Sequence, residues 1–297
     1  MSSAFSGTGV AIVTPFTANG NIDYQGLERL VEHLIANGID YLVVQGTTGE
    51  SPVLSSQEKR EVLDFVIEVN KGRLPVVLGH GGNHTAGIVA GFEQFDFCKV
   101  DGILSVSPAY NKPTQEGIYQ HFKAVVNASP VPVILYNVPG RTSSNMSADT
   151  TLRLSHDFEK VVAIKEASGN LDQIGKIIRE RPDNFLVISG DDALIVPHLS
   201  IGGDGIISVI ANALPAEFGG VVAAGLKGDF ATARLGFHAL AELIPMLFAE
   251  GNPGGVKAAL QHLGICEAHV RLPLVPISEA LRGRITEFID QLGEDDD

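Results

Sequence analysis

The chain has 297 residues, of which 44% are hydrophobic and 19% charged, ample apolar material for a large core and a composition that excludes a disordered chain. A formal net charge of -14 disfavours nucleic acid and anionic membrane surfaces as partners, so any anionic substrate must be met by local cations. The two cysteines, Cys98 and Cys266, have neither metal-type spacing nor a disulfide framework around them and are expected as reduced, buried thiols in helix-like segments.

Residues 1–20 lack a basic segment followed by a long apolar core, and no run reaches the roughly 18 apolar residues that span a bilayer. A cytosolic protein is expected. Along the chain, apolar β-branched runs alternate with helical periodicity. The first run, Gly9 to Phe16, ends in Thr14-Pro15-Phe16, and the crossover behind it begins after Asn21-Ile22-Asp23, with Asp23 as a helix N-cap. Further runs follow at Tyr41 to Gln45, Val76 to Gly79, Gly102 to Val106, Pro132 to Tyr136, Val161 to Lys165, Phe185 to Ser189 and Gly205 to Val209. Strands this continuously apolar are buried on both faces, as parallel strands between crossover helices are.

Eight βα units predict a closed (β/α)8 TIM barrel, since an open doubly wound sheet carries a dinucleotide glycine fingerprint after its first strand and none is present here. The barrel is assigned to residues 1–227. Residues 228–297 read as a C-terminal helical extension of three helices, broken at Gly251-Asn252-Pro253-Gly254-Gly255 and at Arg271-Leu272-Pro273-Leu274-Val275-Pro276. Glu294-Asp295-Asp296-Asp297 is expected to be a solvated acidic tail.

Catalytic groups in such a barrel sit at the C-terminal ends of the strands. The sixth run, Val161-Val162-Ala163-Ile164-Lys165, leaves a lysine at that end, and alternation puts Lys165 on one face with Val161 and Ala163, pointing inward. Apolar surroundings lower a lysine's pKa and expose the lone pair that attacks a ketone. The fifth run places Tyr136 at the matching depth next door, and a phenol can carry the protons that Schiff-base formation moves. The second run ends in Gln45-Gly46-Thr47-Thr48-Gly49-Glu50, whose glycines let backbone N–H groups approach a carboxylate beside a helix start. Taken singly, these residues also suit a surface lysine, a packing tyrosine and a capped tight turn.

Together, Gly46-Thr47-Thr48-Gly49-Glu50, Tyr136-Asn137-Val138-Pro139-Gly140-Arg141-Thr142 and Ile164-Lys165-Glu166-Ala167 resemble the dihydrodipicolinate synthase and N-acetylneuraminate lyase superfamily. Ser107-Pro108-Ala109-Tyr110-Asn111-Lys112-Pro113, Ser189-Gly190-Asp191-Asp192 and the run from Gly205 to Asn212 extend the match over nearly the whole chain. The resemblance implies a class I aldolase chemistry with Lys165 as Schiff-base lysine, Tyr136 as proton shuttle, and Thr47 and Tyr110 completing a relay. It implies that Thr48 holds the pyruvate carboxylate, that backbone around Gly190 and Ile207 lines the pyruvate pocket, and that Arg141 takes the carboxylate of aspartate 4-semialdehyde. It further implies that Tyr110 is lent to a neighbouring subunit's site, so that a dimer is the minimal catalytic unit and a homotetramer the assembly. No metal or organic cofactor is needed, because the lysine supplies the electron sink.

Two other readings use the same residues differently. An aldolase for 2-keto-3-deoxy sugar acids or N-acetylneuraminate would keep Lys165 but not need Arg141, and a non-catalytic sensor or scaffold would need neither. Synthases inhibited by lysine carry a tyrosine where Ala109 stands and a glutamate where Gly87 stands, while Ser56 and Lys59 replace histidines. Asn83 and Ser51 match. Weak or absent inhibition by lysine is therefore expected. His80 and His84 read as loop histidines and Asp191-Asp192 as a helix N-cap.

Overall fold

A computed structural model describes residues 4–294. Eight parallel strands form a closed barrel: β1 (Gly7–Ala11), β2 (Tyr41–Val44), β3 (Val76–Gly79), β4 (Gly102–Val106), β5 (Val133–Asn137), β6 (Val161–Glu166), β7 (Leu186–Ser189) and β8 (Gly205–Ser208). Each strand is paired with its sequence neighbours, and β8 closes on β1 with Gly7 opposite Gly205. Both glycines are required at that seam. They hold φ of 90° and 144°, and a Cβ on Gly205 would lie 2.1 Å from the Gly7 carbonyl oxygen.

The first strand begins earlier and ends sooner than its apolar run. Beyond Ala11 the ladder gives way to other partners: the Val13 N–H donates to Asn212 Oδ1 at 3.1 Å, Pro15 has no N–H to give, and Phe16 bridges antiparallel to Ile22. The other strand boundaries fall within a residue of the expected ones.

Helices α1 (Tyr24–Ala36), α2 (Ser56–Asn70), α3 (Thr85–Gly91), α4 (Gln115–Ala128), α5 (Pro139–Thr142), α6 (Ala148–Asp157), α7 (Leu171–Glu180), α8 (Ile195–Ser200) and α9 (Pro215–Leu226) accompany the barrel. Asp23 caps α1 by accepting from the Gly26 N–H at 2.9 Å, as its type predicts. The extension contains α10 (Phe230–Leu240), α11 (Leu243–Met246), α12 (Gly254–His262) and α13 (Glu279–Glu294). That is one helix more than expected. Pro245 cannot donate to the Ala241 carbonyl, so the helical stretch is interrupted at Ala241 and Glu242 and α11 follows as a separate turn. Glu294 closes α13 rather than starting a tail, and Asp295 to Asp297 lie outside the described residues.

Two clusters make the core. The barrel interior packs residues such as Tyr41, Val77, Leu104, Ile134, Ala163 and Ile188, while a larger outer cluster joins the strand backs to the helices and takes in Leu243, Leu247, Val256 and Ile285 of the extension. Simple alternation fails on β6. The register shifts between Val133 and Ile134, so Ala163 and Lys165 keep the inner face but Val161 packs outward and Val162 against the inner cluster. Cys266 is buried, but Cys98 is exposed in a turn whose Asp96 carboxylate accepts from its N–H and thiol. Among the described residues no helix is long and apolar enough to cross a membrane.

Candidate active site

At the C-terminal mouth of the barrel, β5 and β6 pair Tyr136 directly with Lys165 and Asn137 with Glu166. The lysine is 6% exposed and its Nζ lies 4.6 Å from the centroid of the Tyr136 ring. Burial pulls its pKa down to about 8, helped by the Arg141 cation and opposed by the Asp192 carboxylate. At that value about one molecule in ten carries the neutral amine at pH 7, against roughly one in three thousand for an ordinary lysine. Burial also raises the Tyr136 phenol, against which Arg141 and a hydrogen bond from the Thr47 side chain act. Tyr136 therefore stays protonated at neutral pH and has a hydroxyl partner for proton exchange.

A cavity of about 690 Å³ opens in front of this pair. Thr47, Thr48, Tyr136, Arg141, Lys165 and Gly190 all line it, so six of the eight residues singled out from the sequence meet at one place. Gly190 is there by necessity, because a Cβ would stand 2.9 Å from Lys165 Cε and 2.7 Å from Ala167 Cβ. Arg141 is exposed at the mouth and, among the described residues, makes no ion pair. Its guanidinium is thus available to an anionic ligand.

The turn after β2 is built differently from a helix-dipole site. Gln45 and Glu50 both adopt positive φ, and the Gly49 and Glu50 N–H groups close the turn on the Gly46 and Thr47 carbonyls at 3.1 Å. Among the described residues the Thr47 and Thr48 N–H groups have no backbone partner and can meet a ligand. The start of α2 does not serve them, since Ser55 and Glu58 occupy it with their own capping box.

Two residues lie elsewhere. The Ile207 side chain is 1% exposed within the inner cluster, and Val209, just past the end of β8, lines the cavity wall. Tyr110 is 90% exposed, with φ of 68° and its N–H donating to the Thr142 carbonyl at 3.2 Å, and it is not among the residues that line the cavity.

The dihydrodipicolinate synthetase family model matches residues 4–292. The chain belongs to that family. A 4-hydroxy-tetrahydrodipicolinate synthase of Azobacteroides pseudotrichonymphae is 52% identical over 95% of this chain and 96% of its own, and one of Flavobacterium psychrophilum is 51% identical over 98% and 99%. The crystal structure of a dihydrodipicolinate synthase from Aquifex aeolicus superposes with a TM-score of 0.94 at 40% identity, covering 97% of this chain and 98% of that one.

In this member of the dihydrodipicolinate synthetase family several site residues escape sequence reasoning. Asp191 does cap a short turn by accepting from the Ala193 N–H at 3.0 Å, but Asp192 is buried and accepts from the Val209 and Ile210 N–H groups at 3.1 and 3.0 Å. Its charge is the counterweight to Lys165. Glu166, also buried, accepts from Asn137, Gln173 and the Ser168 N–H and thereby ties the ends of β5 and β6 together. The extension adds Ala241, Ile244, Pro245, Phe248 and Asn252 to the cavity. Of these Glu166 had a visible signal, its place at the C-terminal end of β6.

His80 Nε2 donates to the Ile88 carbonyl at 2.8 Å and the ring packs against Phe92, as a loop-packing histidine does. Among the described residues no three His, Cys, Asp or Glu side chains gather as a metal site. A second cavity of about 610 Å³ lies behind Thr47 and Tyr136, lined by Ser51, Lys59, His80, Asn83 and His84 and by no carboxylate.

Proposed function

We propose that the protein condenses pyruvate with aspartate 4-semialdehyde to form 4-hydroxy-tetrahydrodipicolinate, by way of a Schiff base on Lys165. The observation that carries this reading is the buried Lys165 amine, in register with Tyr136 and sharing one cavity with Arg141. The neutral amine adds to the pyruvate ketone, and Tyr136, relayed through Thr47, donates the proton with which the carbinolamine loses water. The iminium draws electrons from the methyl group, which loses a proton to give an enamine. The enamine carbon adds to the aldehyde. The amine of the second substrate then displaces Lys165 from the iminium carbon, closing the ring and releasing the lysine.

In this reading Thr48 and the N–H groups of the turn hold the pyruvate carboxylate, and Arg141 holds that of the aldehyde substrate. Backbone around Gly190 and Ile207 bounds the pyruvate pocket. Tyr110 completes the relay in a neighbouring copy, a role that suits a phenol fully presented to the outside. A dimer is then the smallest active unit, within a homotetramer, acting in the cytoplasm. Lysine is a poor inhibitor, since the second cavity offers its ammonium groups the Lys59 cation and no carboxylate, and a side chain at Gly87 would meet the His84 ring at 2.7 Å.

The discriminating experiment is steady-state turnover with pyruvate and aspartate 4-semialdehyde, compared with cleavage of 2-keto-3-deoxy sugar acids and N-acetylneuraminate. The reading predicts faster synthase turnover, and an Arg141→Ala protein with a raised KM for the semialdehyde alone. Faster turnover of a sugar acid would replace it with the lyase reading.

A further inference from the structure

The Gly251-Asn252-Pro253-Gly254-Gly255 break between α11 and α12 does more than end a helix. It carries Asn252 into the cavity wall, where the side-chain Nδ2 donates to Thr48 Oγ1 at 2.9 Å across 204 residues of sequence. Asn252 is 8% exposed, and Oδ1 is buried with no partner, so among the described residues the bond to Thr48 is its one side-chain hydrogen bond. Close packing fixes the segment. A Cβ on Gly255 would fall 2.6 Å from the Leu247 backbone, and the Lys257 N–H returns to the Pro253 carbonyl at 2.9 Å.

A threonine hydroxyl has one proton to donate and two lone pairs. With Nδ2 of Asn252 on a lone pair, the Thr48 proton is left to point elsewhere, and a carboxylate in the cavity is the acceptor that rewards it. The next residues of the turn are held from the same side: Lys257 Nζ lies 2.5 Å from Glu50 Oε1, and the Arg271 N–H donates to Glu50 Oε2 at 3.0 Å. The carboxylate-binding turn is thus set from the extension.

We propose that Asn252 is a positioning residue for pyruvate, orienting the Thr48 hydroxyl as a donor to the substrate carboxylate. This rests on the assignment of Thr48 to that carboxylate. An aspartate at 252 has the same shape but only accepts, so it takes the Thr48 proton for itself and adds a negative charge beside an anion.

The test is a double-mutant cycle of Asn252→Asp and Asn252→Ala, each with and without Thr48→Val, read as KM for pyruvate, kcat and melting temperature. The expected result is a KM raised at least tenfold by N252D and less by N252A, kcat within a few-fold of wild type, and little further effect of either change once Thr48 is valine. Unchanged KM in both single variants, or effects that simply multiply with that of T48V, would overturn the proposal. Should N252D fail to fold, the N252A and T48V arms decide by the same criterion. Trapping of pyruvate by wild-type protein with borohydride separates the two levels: without it the aldolase reading falls and the proposal with it, whereas trapping with a multiplicative cycle overturns the proposal alone.

Discussion

Gly190→Ala probes how closely the cavity is fitted around the lysine. The added carbon would lie 2.7 Å from Ala167 Cβ, 2.9 Å from Lys165 Cε and 3.2 Å from Lys165 Cγ, where carbon atoms normally rest about 3.5–4.0 Å apart. Ala167 Cβ has no rotamer to escape into, and the Gly190 N–H is tied to the Glu166 carbonyl at 2.8 Å. The strain therefore falls on the lysine chain, which must move by roughly 0.6–1.1 Å at Cε to restore contact distances. A displacement near 1 Å at a reacting group costs about a hundredfold in rate. Overpacking of this kind costs about 1–3 kcal/mol of stability, so the protein still folds. The assay is the rate of borohydride-trapped pyruvyl adduct, alongside kcat and a thermal melt. The reasoning predicts a loss of at least thirtyfold in trapping, about 2 kcal/mol in free energy, partly restored by adding Ala167→Gly. A G190A protein that traps pyruvate within about threefold of the wild-type rate refutes it.

The rate of adduct formation at subsaturating pyruvate should rise with pH through about 8 and level off above it, because the proposed nucleophile is the free amine of Lys165; a rise continuing to pH 10 contradicts the lowered lysine pKa. The same shift makes Lys165→Met more stable than wild type at pH 7 by about 3 kcal/mol. Lysine's pKa is lower in the folded than in the unfolded chain, so the unfolded state binds more protons and wild-type stability climbs between about pH 8 and 10, narrowing the gap in denaturant titrations. Lys257→Met leaves Glu50 buried without its cation and should cost about 3–5 kcal/mol in urea unfolding, while an unchanged midpoint would show the pair to be idle. Steady-state assays with 1 mM lysine, a concentration of about the millimolar order at which metabolite sites commonly operate, should show little inhibition; half-inhibition below that level contradicts the account of the second cavity.

Much of this was open to sequence reasoning because barrels obey simple periodicities. Apolar β-branched runs mark the eight strands, and their C-terminal ends mark Lys165, Tyr136 and the Thr47-Thr48 turn. Alternation fails on β6 where a register shift intervenes, since a shift opposite Val161 and Val162 depends on how β5 pairs, not on the residues of β6. Asp192 was hidden behind Asp191. Two adjacent acids look alike in sequence, yet one caps a turn and the other is buried on the Val209 and Ile210 amides. Asn252 and Lys257 gave no signal, because their partners Thr48 and Glu50 are more than two hundred residues away and only packing of the extension brings them together. Cys98 misleads for the opposite reason: an apolar-looking neighbourhood of Phe95 and Phe97 pairs those rings with each other and leaves the thiol outside.

The central claim is that Lys165 forms the covalent bond to pyruvate. Protein incubated with pyruvate and borohydride, measured by intact mass and then by peptide mapping, tests it directly. One reduced pyruvyl adduct per chain, on Lys165 and absent from Lys165→Met, is the predicted result. Folded protein that takes up no pyruvate, or takes it up on another lysine, contradicts the account.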